Sequence, residues 1–109
     1  MSYFCDVENR EIKEIAPGVK IKTFWQTEML VSVVDLEPGA VVPMHSHPHE
    51  QSGTVISGQI DLTIDGELRT LTSGDCYIIP GNVEHKAVAG PSGAHVIDIF
   101  APVREEYQY

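Results

Sequence analysis

The chain has 109 residues, sixteen acidic and seven basic, for a formal charge of −9. That length makes one domain, residues 1–109, and leaves no room for a regulatory domain beside a catalytic one. The acidity argues against nucleic acid or an anionic membrane as partner, since both are repelled at long range. A hydrophobic content of 42% excludes a disordered chain.

The N-terminal segment, Met1 to Ile15, carries Asp6, Glu8, Glu11 and Glu14 and has no apolar run of the signal-peptide kind. No stretch reaches the roughly 20 apolar residues that span a bilayer. Cys5 and Cys76 form no Cys-x-x-Cys pair, so two free thiols in a reducing compartment are expected. These features together predict a soluble cytoplasmic protein.

Further along, no stretch of ten residues reads as a helix. Gly and Pro recur at Pro17-Gly18, Pro38-Gly39, Gly53, Gly58, Gly66, Gly74, Pro80-Gly81, Gly90-Pro91 and Gly93. The Val-, Ile- and Thr-rich runs between them predict short strands of an all-β sandwich or barrel. Met29 to Leu36 is apolar on both faces, as are Cys76 to Ile79 and His95 to Phe100. A strand buried on both sides needs a cover, and in so small a domain a second subunit is the expected one, making a homodimer. Gln59 to Asp65 alternates instead: Ile60, Leu62 and Ile64 face one way, and Asp61, Thr63 and Asp65 the other. Asp65-Gly66 then supplies the positive φ angles of a tight hairpin.

Three of the five histidines fall in the tract His45-Ser46-His47-Pro48-His49-Glu50-Gln51. On an extended chain His45 and His47 project from one face, where neutral imidazoles can converge on a metal ion. Gln51 has the same parity and offers a carbonyl oxygen. Glu50 is the alternative to Gln51: a shift of one residue would make it a carboxylate ligand, although its parity argues against this. Pro48 marks a bend, and His49, just after it, is expected behind the ligands or in solvent.

The spacing around this tract is specific. Gly39, five residues, His45-x-His47, three residues, Gln51, six residues and Gly58 form one pattern. Gly74, five residues, Pro80, four residues and His85 form another. They resemble the two signature motifs of the cupin superfamily, with Gln51 in place of the usual Glu, Asn82 in place of a Gly and Ala89 in place of an Asn. The resemblance covers Pro38 to about Arg104. It implies a double-stranded β-helix, a jelly-roll barrel occupying roughly residues 28–104. It also implies His45, His47, Gln51 and His85 as ligands of one divalent transition metal ion, with nickel, manganese, iron, cobalt and zinc all acceptable to such a set. Three imidazoles and a neutral amide leave the ion's charge uncompensated. The expected result is a stronger Lewis acid and anion holder that binds its metal less tightly.

In His95 to Phe100 the odd residue is Asp98, on the same face as Ala94, Val96 and Phe100. A carboxylate on a buried apolar face requires a partner or a task; acid–base chemistry beside the metal would be one. His95, on the opposite face, is expected to be exposed or at an interface. Arg104 follows Pro102, where a guanidinium could grip a carboxylate by two hydrogen bonds. Asp98-x-Phe100-x-x-x-Arg104 resembles the C-terminal signature of the pectin-degradation cupins of the KdgF type. These convert a cyclic 4,5-unsaturated uronate into its linear keto form. The resemblance implies a metal and Arg104 holding the oxygens of a small anionic substrate, Asp98 moving protons, and Phe100 shaping the pocket. Two other activities fit the same ligands: an iron-dependent dioxygenase, and a non-catalytic binding module whose metal holds a small ligand.

Overall fold

The computed structural model describes residues 3–109. Eight strands form one antiparallel sheet system. They are β1 (Lys13–Ala16), β2 (Val19–Trp25), β3 (Leu30–Leu36), β4 (Val41–His45), β5 (Glu50–Ile64), β6 (Glu67–Thr72), β7 (Cys76–Ile79) and β8 (His85–Ala101). A single 3₁₀ turn, Glu105–Tyr107, is the only helical element among the described residues. The architecture is the expected all-β barrel, and β1 and β2 extend the sheet on the N-terminal side.

Two long strands organise it. β5 has 15 residues and β8 has 17, and they pair with each other along most of their length. Their outer halves, Glu50–Ser57 and His95–Ala101, lie in a layer with β3, β2 and β7. Their other halves, Ile60–Ile64 and His85–Ala89, lie in a layer with β4 and β6. Both strands cross from one layer to the other, and the barrel interior lies between the layers.

This corrects the expectation of short strands ended by each glycine. Gly58 and Gly93 are corners inside strands, where register shifts occur and both φ angles are positive, 79° and 73°. A Cβ on Gly58 would stand 2.1 Å from the Gly93 carbonyl oxygen. The two backbones therefore cross closely at the corner, as glycine inside a strand often signals. By contrast, Asp65-Gly66 is the hairpin turn expected, with φ of 48° and 80° joining β5 to β6.

Ile60 and Leu62 are buried, 2% and 6% exposed, as their alternation predicts. They pack with Val19, Ile21, Val34, Leu36, Val55 and Val96 in one continuous core. The runs that are apolar on both faces divide into buried inner residues and more open outer ones. Ile78 is 72% exposed and Ile99 37%. Two inner positions in those runs are polar: Ser32 on β3 and Asp98 on β8, directly opposite each other.

Candidate metal centre and substrate pocket

Pairing of β4 with β8 sets His45 opposite His85, with ring centroids 4.3 Å apart. His47 follows the end of β4, and the chain bends at Pro48 and His49 before β5 begins. Its ring lies 5.0 Å from His85 and 5.6 Å from His45. One ligand nitrogen from each of the three histidines falls within 4.8 Å of the others. The β-parity assigned to the tract holds: Gln51 is buried and Glu50 exposed.

Each of these imidazoles is held from behind by a main-chain carbonyl. Nδ1 of His45 lies 2.8 Å from the Pro43 oxygen, Nδ1 of His47 3.0 Å from the His49 oxygen, and Nδ1 of His85 2.8 Å from the Val83 oxygen. A carbonyl only accepts, so each Nδ1 carries the proton and each Nε2 keeps a lone pair. This backing is the arrangement that orients metal-ligating histidines.

The Nε2 atoms then have an unmet need. Nε2 of His85 is buried without a partner. Nε2 of His47 faces Gln51 Oε1 at 3.1 Å. The Gln51 amide group donates to Asp98, which turns the oxygen toward the imidazole. Two acceptors face one another, and a cation satisfies both. The donor set of His45, His47, His85 and Gln51 Oε1 therefore fits a divalent metal.

The electrostatics agree. Burial, followed by Arg104 and His85, lowers the His47 pKa from 6.5 to about 4. His85 is also lowered, chiefly by burial. Both rings are neutral at physiological pH, the form that binds metal.

Beside the cluster, Asp98 is 9% exposed. Among the described residues its carboxyl forms no ion pair with an arginine and no hydrogen bond with the backbone. Tyr77 donates its hydroxyl to Asp98 Oδ1 at 2.5 Å, and the Gln51 amide donates as well. Burial raises the carboxyl from 3.8 to about 6, against the opposing pull of Tyr77, Gln51 and Arg104. The same burial and the neighbouring carboxylate push the Tyr77 phenol upward. Arg104 is also buried, 9% exposed. Its Nε donates to Glu106 at 2.8 Å, and its guanidinium lies 4.0 Å from the Tyr107 ring centre and 5.1 Å from that of Phe100. The hydrogen bond from Arg104 holds the Glu106 carboxyl below its usual range. Phe100 packs edge-on to His47 at 5.6 Å.

One cavity is lined by His45, Gln51, His85, Asp98, Phe100 and Arg104. All the sequence-predicted residues thus meet there, His47 by its contact with Gln51. Tyr77, Tyr107 and Ser32 also line it and were not anticipated. Ser32 Oγ is buried without a partner. Its signal was present as the lone polar residue of inward parity in an apolar run. His49 sits behind the ligands, buried, its carbonyl supporting His47. His95 is exposed, as expected, and both cysteines are free and exposed.

The cupin domain family matches residues 32–100. This chain is a cupin. The pectin degradation protein KdgF of Dickeya dadantii (strain 3937) is 33% identical over 107 residues, 96% of each chain. Among solved structures, KdgF from Halomonas sp. superposes with a TM-score of 0.89 at 31% identity, covering 99% of both chains. An RmlC-like cupin from Shewanella frigidimarina gives 0.92 at 32%, covering 99% of this cupin and 97% of its own chain.

Proposed function

We propose that this cupin is a metal-dependent enzyme that opens and ketonises a 4,5-unsaturated uronate without redox change. The observation that carries the reading is the shared cavity, which sets a buried carboxyl and a buried guanidinium beside a three-histidine cluster. The full-length similarity to proteins named for pectin degradation supports it.

The reaction is an isomerisation. The C1–O5 bond of the cyclic hemiacetal breaks, the C1 hydroxyl loses its proton to become an aldehyde, and the C5 oxygen is released as an enol. Moving the enol proton to C4 completes the 5-keto form. A bound divalent ion supplies Lewis-acid stabilisation to the substrate oxygens. Arg104 binds the carboxylate with its terminal nitrogens, because Glu106 already occupies Nε. Asp98 gives and takes the proton; a carboxyl raised to about 6 exchanges protons near neutrality. Phe100 closes the apolar side of the pocket. Inside a chain of charge −9, the ion and Arg104 make the local positive site an anion requires. The test is loss of the ultraviolet absorbance of the unsaturated uronate by protein loaded with each candidate metal in turn. A rate that never exceeds the spontaneous one rejects the reading.

A second subunit as cover also remains our reading. Val31, Ile99, Ser52 and Ile78 form one cross-strand row on the outer face. Val33, Ile97, Thr54 and Cys76 form the next. Across β3, β8, β5 and β7 neither row holds a charge, and only at β2 does Lys22 flank Val33; this suits self-association of a strongly acidic chain. Light scattering should give a homodimer, and a monomer at micromolar concentration would refute it.

A further inference from the structure

Gly53 of β5 lies opposite Tyr77 of β7 on one side and Asp98 of β8 on the other. Strands β7 and β8 are therefore two spacings apart, about 10 Å, and only a long side chain can bridge them. The Tyr77 hydroxyl does so, passing over Gly53 to reach Asp98 Oδ1. A Cβ on Gly53 would stand 2.2 Å from Tyr77 Cζ, 2.3 Å from its hydroxyl and 2.4 Å from Asp98 Oδ1. The contact thus exists because residue 53 has no side chain.

Asp98 in turn meets Gln51, which lies two residues before Gly53 on the same inward face. An amide can present either its oxygen or its NH₂ group to a neighbour, and shape alone hardly distinguishes them. The carboxylate does: the NH₂ group must face Asp98, so the oxygen faces His47 Nε2. An amide turned the other way would set its oxygen against the carboxylate and a donor against the ligand cluster.

We propose that Tyr77 is a positioning residue for the metal centre: by holding Asp98 across Gly53, it fixes the Gln51 amide with its oxygen toward the three histidines. The inference rests on Gln51 being a ligand, and not on the identity of the substrate. It gives Tyr77 a role that simple filling of the barrel would not.

The test uses metal-free wild type, Tyr77→Phe and Gln51→Leu, each titrated with Co²⁺ while the visible ligand-field absorption is recorded. Tyr77→Phe keeps the ring and its packing, and thermal unfolding confirms that it folds. Gln51→Leu defines the spectrum without the amide oxygen. The Tyr77→Phe spectrum should move from the wild-type form toward that of Gln51→Leu, with Co²⁺ affinity weakened about tenfold, the lower end of effects from residues behind metal ligands. A Tyr77→Phe spectrum and affinity equal to wild type, with Gln51→Leu different, would overturn the positioning role. A Gln51→Leu spectrum equal to wild type would overturn it too, by removing the ligand to be positioned. Uronate turnover by the wild type, measured separately, is untouched by either outcome.

Discussion

Val96 and Asp98 are neighbours on the inner face of β8, 3% and 9% exposed, yet they belong to different halves of the lumen. Val96 packs with Val19, Ile21, Ile60 and Leu62. These branched aliphatic side chains wall the apolar end of the cavity that Asp98 also lines, and leave no polar group to satisfy. Asp98, one inward step further, joins Tyr77, Gln51, Arg104 and the histidines. There several polar atoms are committed to one another, while others, such as His85 Nε2 and Ser32 Oγ, are buried without partners. Buried orphans are costly in a finished core. Their concentration at one end marks the half of the barrel shaped for something to enter. The aliphatic cluster contains none of the candidate ligands, so changes in one half should leave the other standing.

The largest effect is expected at the polar end. Purified protein should carry about one divalent ion per chain, and His47→Ala with His85→Ala should remove nearly all of it. Metal analysis by mass spectrometry checks this, and circular dichroism should show the strands intact. Stoichiometric metal retained in the double variant would break the ligand assignment. Next comes Asp98→Asn, which should lose about 10²- to 10⁴-fold in uronate turnover while still carrying metal through its three imidazoles. Equal activity in that variant would leave the substrate standing and remove Asp98 as the proton carrier.

The apolar half should respond in the opposite sense. Ile60→Ala should cost about 2–5 kcal/mol of stability, read by denaturant unfolding, with metal content unchanged. Loss of metal from the folded variant would show that the two halves are coupled.

These contrasts were unevenly legible in the sequence. Parity alone put His45, His47 and Gln51 together and Glu50 outside, because strand alternation is a local rule. Ile60, Leu62 and the Asp65-Gly66 turn were readable for the same reason. Asp98 stood out as a charge on an apolar face. Its partners did not, because the Tyr77 contact depends on β7 and β8 both pairing with β5 at Gly53. That register is long-range, and nothing within a few residues of Tyr77 encodes it. Gly58 and Gly93 misled in the other direction. A glycine that lets a long strand turn a barrel corner looks, in sequence, like one that ends a short strand.

A smaller effect separates the halves by pH. Asp98 moves from 3.8 to about 6 on folding, chiefly by burial. A carboxyl raised in the folded state contributes stability that is complete below the unfolded value. That contribution is lost as pH rises through the folded value. Metal-free wild type should therefore lose at most about 3 kcal/mol from this group between about pH 4 and pH 7. Asp98→Asn cannot titrate, so the difference between the two unfolding curves should shift in the variant's favour as pH rises. Parallel curves would mean that burial does not raise the carboxyl above its ordinary range.

The finest distinction lies within the polar end itself, between binding and chemistry. Arg104 is stacked among Phe100 and Tyr107 and tied to Glu106 through Nε alone. Its terminal nitrogens can meet a carboxylate, but it is not placed to exchange protons, since a guanidinium stays charged. Arg104→Ala should thus raise KM about tenfold with kcat nearly unchanged, the signature of lost uniform binding worth about 1.4 kcal/mol. Arg104→Lys should recover only part of it, because an ammonium cannot form the two parallel hydrogen bonds. A fall in kcat with KM preserved would move Arg104 into the chemical step and erase the division of labour with Asp98. Metal content measured alongside guards against a third outcome, in which losing the stacked side chain lets Phe100 and His47 shift. That would appear as weaker metal retention and would assign Arg104 to the architecture of the centre.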